Sequence, residues 1–159
     1  MKILLLVRTK IPDTMKMKCL LFTALLFALH TNCSSSKKIK GARMLDKNTF
    51  LLTGISADST YGYSPKNAIK VGGVDQSIGP LNEQRYLNAL TGPAGEPVWF
   101  HREGSCCPVE SDNGFGLTGM AMLDEYAVTW AGKGDTLNLY INMYDYGKMK
   151  APAGFGIKK

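Results

Sequence analysis

Two extended runs late in the chain, Met120 to Trp130 and Asp135 to Asp145, are joined by Ala131-Gly132-Lys133-Gly134. A short glycine-bearing link between two such runs is a hairpin signature. In the second run Leu137, Leu139, Ile141 and Met143 fall on one side, and Asn138, Tyr140, Asn142 and Tyr144 on the other. A helix repeats its faces every 3.6 residues and would mix these two sets, whereas a strand has period two. The pattern therefore requires a half-buried antiparallel strand with an apolar face to cover.

The preceding segments fit the same sheet. Thr49 to Ile55 reads as a strand, Ser56 to Lys66 as turn, and Ala68-Ile69-Lys70-Val71 as a short strand closed by Gly72-Gly73. Asn82 to Leu90 reads as a helix capped by Asn82, with Tyr86, Leu87 and Leu90 sharing a face and Thr91-Gly92-Pro93 ending it. Pro97 to Arg102 is a further strand. All 17 glycines lie beyond residue 40, which favours many turns and short strands over a helical bundle. The expected fold is α+β, a small antiparallel sheet of about five or six strands with one packed helix, over residues 45–159. These roughly 115 residues suffice for one core.

The N-terminal third is of another kind. Cys19 to Leu29 is an apolar run of 11 residues preceded by Met17-Lys18 and followed by His30-Thr31-Asn32-Cys33-Ser34-Ser35-Ser36-Lys37-Lys38. A secretion signal has an apolar core of about 7–15 residues, and a membrane-spanning helix needs roughly 20. The segment resembles a lipoprotein signal, in which cleavage before a cysteine is coupled to acylation of that cysteine. It departs from the usual pattern at His30 and Asn32, three places and one place before Cys33, with Leu29 one place early. The alternative is an ordinary signal cut near Cys33. The expected organisation is a signal over 1–32, with 1–16 a start-site extension if translation begins at Met15 or Met17. A lipidated tether over 33–44 follows, attached to a bilayer through Cys33. Two or three acyl chains at about 0.8 kcal/mol per buried methylene hold a protein on a membrane. The expected location is the cell envelope, at the outer membrane.

Charge excludes one class of partner. The chain is formally +6, but residues 1–33 hold five basic residues against Asp13, and Lys37, Lys38, Lys40 and Arg43 lie in the tether. The folded part is thus near −2, unlike the basic surface that nucleic-acid binding requires.

Five ordered blocks carry a resemblance. They are Gly54 to Tyr63, Asn67 to Gly73, Asn82 to Leu90, Gly104-Ser105-Cys106-Cys107 and Leu139 to Asp145. Together they resemble a family of small bacterial lipoproteins of uncharacterised function, whose members often carry the name 2-dehydro-3-deoxyphosphooctonate aldolase. The resemblance implies an anchored envelope protein. The activity in that name implies a barrel of at least about 200 residues acting on cytoplasmic phosphorylated substrates.

Candidate sites are few. With Cys19 in the signal and Cys33 the lipid site, Cys106 and Cys107 remain in an exported, oxidising setting. Neighbouring Cα atoms lie about 3.8 Å apart, below the usual disulfide span of roughly 4.4–6.8 Å, so a bond between them forms a rigid ring. A ring disulfide, two reactive thiols and a metal set with His101 all remain open, although His-x4-Cys-Cys lacks a fourth ligand. No metal and no cofactor is expected. His101 with Arg102 offers acid–base or ligand contacts, as do Tyr61 and Tyr63 in the turn with Asp58, Ser59 and Thr60. The polar strand residues Tyr140, Asn142 and Tyr144, with Asn138, Trp99 and Trp130, suit a glycan or peptide. Gly114 to Gly119 follows no strand into a helix, so it reads as a flexible loop rather than a phosphate cradle. No catalytic constellation is complete. Two functions stay open: a non-catalytic domain binding an envelope protein or glycan, and an enzyme, either thiol-dependent or with the aldolase activity.

Overall fold

The computed structural model describes residues 42–159; the signal, the start-site extension, Cys33 and nearly all of the tether lie outside the described residues. The described residues are mostly β-sheet with one α-helix, as an α+β chain requires. Its strands are β1 (Met44–Asp46), β2 (Thr49–Phe50), β3 (Ile69–Lys70), β4 (Leu90–Thr91), β5 (Val98–Phe115), β6 (Met120–Trp130), β7 (Leu137–Asn142) and β8 (Gly156–Ile157). The helix, α1, spans Gly79–Leu87.

The main sheet has the order β3-β7-β6-β5, with β1-β2 and β4-β8 as separate pairs. The late hairpin is β6 and β7, antiparallel, with Asp124 opposite Ile141 and Val128 opposite Leu137. The sheet is not wholly antiparallel, however. β3 joins β7 in parallel, Ile69 opposite Ile141, because the long excursion from 71 to 136 returns the chain in the same direction.

Several expectations shift. The strand expected over 49–55 stops at Phe50, because the next backbone groups find other partners: Leu51 donates to Arg43 and Ser56 to Ala151, while Gly54 accepts from Ala151. The helix starts three residues before Asn82, with Pro80 in its first turn, where a missing N–H is harmless. Asn82 therefore does not cap it. Its buried amide donates instead to the carbonyls of Val71 and Gly72 and pins α1 to the end of β3.

The strand expected over 97–102 runs on to Phe115. Register shifts between Arg102 and Gly104, Cys106 and Pro108, and Glu110 and Phe115 carry it past Gly104 and Pro108. Pro108 is admissible because β5 is an edge strand. Gly114 to Gly119 is consequently the end of a strand and a tight turn, closed by Ser111 N–H on Gly119 O at 2.8 Å.

Directly opposed residues share a face, so one side of the sheet presents Asp124, Tyr126, Val128, Leu139 and Ile141 to α1. Tyr86 and Leu87 of α1 meet them with Phe50, Leu52, Ile69, Val71 and Phe155 in one continuous core. Tyr86 is fully buried and satisfies its hydroxyl on Lys150 O at 2.8 Å. No helix among the described residues is long and apolar enough to cross a membrane.

Candidate functional site

The polar strand face divides. Asn138 and Tyr140 lie on the outer side, opposite Ala127 and Glu125, with Trp99 58% exposed and His101 on the same side. Asn138 donates to Glu125 at 2.8 Å. Asn142 and Tyr144 are not on an open face: they are 1% and 4% exposed. After β7 the chain turns, and Asn142 Oδ1 accepts the backbone N–H groups of Tyr144 and Asp145. Tyr144 packs edge-on to Phe115 at 5.3 Å. Trp130 also leaves the polar set, packing edge-on against Phe155.

His101 pairs with Glu103 at 2.7 Å on the surface and approaches no second carboxylate or thiol as an ion-pair or metal set among the described residues. Arg102 is committed elsewhere. Its guanidinium donates to both oxygens of buried Asp124, at 2.6 and 2.8 Å, and to Ser105 Oγ. Cys106 and Cys107 are paired to each other, Cα atoms 3.7 Å apart, at a β-bulge where Cys107 takes a φ of 53°. The left-handed backbone at Cys107 is one few residues other than glycine adopt.

Beneath Arg102 lies a carboxyl pair that sequence reasoning missed. Glu83 of α1 accepts Tyr126 Oη at 2.9 Å, while its other oxygen is buried without a hydrogen-bond partner. Burial, followed by the charge of Asp124, pushes Glu83 up from 4.5 to about 8. Burial also opposes charge on Asp124, but hydrogen bonds from Arg102 and Ser105 outweigh it and hold Asp124 below its ordinary value. At neutral pH the pair thus holds one proton, on Glu83. A protonated Glu83 is a donor, and Asp124 is the carboxylate that shares a side-chain hydrogen bond with it. The signal was present: Glu83 lies three and four residues before Tyr86 and Leu87, and Asp124 two before Tyr126, each on the buried stripe.

A concave surface lies elsewhere. A cavity of about 230 Å³ is lined by Tyr61, Lys66, Asn67, Lys70, Glu110, Asn142 and Lys148, among others. An adjoining cavity of about 400 Å³ shares Lys70 and Glu110 and adds Ser111, Asp112, Asn113 and Asp145. Distant segments build the wall. Tyr61 Oη accepts Lys150 N–H, and Asp58 binds the backbone and hydroxyl of Thr60 and the amide of Asn67, fixing the turn. Asp145 accepts Ser111 Oγ, Asn113 Nδ2 and Asn142 Nδ2 and lies 3.4 Å from Lys70 Nζ, joining β3, β5 and β7. Burial opposes its charge, but those three hydrogen bonds and Lys70 hold Asp145 low, so it stays ionised.

No family model, curated protein or solved structure matches the chain significantly.

Of the residues singled out in the sequence, the fold brings Tyr61 and Asn142 together on this cavity. Tyr63 turns away to donate to Ala153 O at 2.6 Å. His101, Tyr140 and the cysteine pair are not among the residues that line it.

Proposed function

We propose that this chain is an exported lipoprotein of the cell envelope, held to a bilayer through Cys33, whose folded part binds a small polar ligand such as a glycan fragment in the Tyr61–Lys70–Asn142 cavity. The observation that carries the reading is the convergence of the 58–67 turn, β3 and the end of β7 on one concave wall. Ligand sites are typically concave and largely pre-formed, with a few well-placed polar groups. The Asp58 and Asp145 hydrogen-bond hubs supply such pre-formation. A paired Cys106–Cys107 accords with an oxidising compartment and argues against a thiolate nucleophile. Among the described residues, a four-stranded mixed sheet with one helix argues against a barrel aldolase. On this reading the chain is kin to the small envelope lipoproteins that its five sequence blocks resemble.

The test is an NMR titration of the ¹⁵N-labelled full chain in detergent micelles with solubilised envelope glycan fragments. The reading expects the amides of Tyr61, Lys70, Asn142 and Gly147 to shift together. Shifts confined to Trp99, His101 and Asn138 would move the site to the outer sheet face, and a spectrum that does not change would refute it.

A further inference from the structure

The two adjoining cavities differ in charge. Lys66, Lys70 and Lys148 line the first against Glu110 alone, whereas Glu110, Asp112 and Asp145 line the second against Lys70 alone. Lys70 is already engaged with Asp145. Lys66 and Lys148 are exposed and form no ion pair with any described residue. Three lysines on one cavity wall, two of them uncompensated, repel one another and gain from an anion between them. The acidic half next door, fixed by the hydrogen bonds on Asp145, sets where that anion cannot go.

Resting on the ligand-binding reading above, we infer that the ligand is anionic, its carboxylate or phosphate held at the Lys66–Lys70–Lys148 end of the groove. The acidic half then faces the hydroxyl or amine donors of the same molecule, which gives the ligand one orientation. Binding through exposed lysines is screened by salt, so affinity falls as ionic strength rises.

Calorimetry on the full chain in detergent micelles, with three probes, tests this. Inorganic phosphate represents a phosphoryl ligand, glucuronate an acidic sugar, and glucose a neutral one. At least one of the two anions is expected to bind, and which one identifies the anionic group. The Lys66→Glu/Lys148→Glu double variant should weaken that binding at least tenfold with an unchanged Tm, and Lys133→Glu, away from the cavity, should not alter it. Binding of neither anion, or equal binding by the double variant, overturns the inference. Glucose bound alone, with the groove amides shifting in the NMR titration, overturns the anion while leaving the ligand-binding reading standing.

Discussion

Tyr126 on β6 donates its hydroxyl to Glu83 of α1 at 2.9 Å, inside a core that leaves Glu83 no exposed surface. The bond alone would favour an ionised carboxylate. Burial and the neighbouring Asp124 charge prevail, so α1 is fastened to the sheet by a neutral glutamic acid.

Stability should therefore depend on pH in a specific window. The folded state keeps Glu83 protonated up to about pH 8, whereas the unfolded chain releases that proton near 4.5. Between these values the unfolded state binds fewer protons, so stability falls as pH rises, then levels off above about 8. By pH 7 this amounts to on the order of 3 kcal/mol. Glu83→Gln keeps a donor and an acceptor but cannot ionise. Urea melts across pH 5 to 9 should find the variant close to wild type at pH 5 and more stable at pH 8.

Removing the partner that keeps Asp124 charged has the opposite sign. Arg102→Ala leaves a carboxylate that is 3% exposed with only Ser105 and the Glu83 carboxyl to donate to it. Breaking a fully buried pair costs about 3–5 kcal/mol, but the Arg102 side chain is 45% exposed, so about 2 kcal/mol is expected from chemical denaturation at pH 7.

Much of this fold was legible. The alternation over Leu137 to Tyr144 located β7 and its hairpin, because period two has no helical reading. What misled was length: the strand expected over Pro97 to Arg102 continues past Gly104 and Pro108, because an edge strand with bulges accommodates both. Tyr144 read as an outer face, but alternation predicts a side only while the strand lasts, and β7 ends at Asn142, which is itself buried under the turn whose Tyr144 and Asp145 N–H groups it accepts. The cavity itself was not legible, since it joins residues from 61 to 148 through Asp145, whose partners are set by tertiary packing.

The cysteines give a chemical prediction. With Cys106 and Cys107 paired, the denatured protein should take no alkyl group at either position until a dithiol reductant is added, and then one at each, read by peptide mass spectrometry. Labelling at both sites without reductant would show free thiols.

Gly72 tests the joint between β3 and α1. Its φ is +62°, and a Cβ there would run into the Tyr146 ring, which Asp75 and Gln76 hold by its hydroxyl. Gly72→Ala combines a left-handed backbone penalty of about 1–2 kcal/mol with that overlap, so a loss of about 2 kcal/mol or more is expected in thermal or urea unfolding.

The claim on which the function depends most is that Cys33 carries lipid. Cells expressing the chain are fed radiolabelled palmitate, and the wild-type protein is compared with Cys33→Ser after immunoprecipitation. The account predicts label in the wild type that is absent from the variant; label retained by Cys33→Ser, or missing from both, would contradict it.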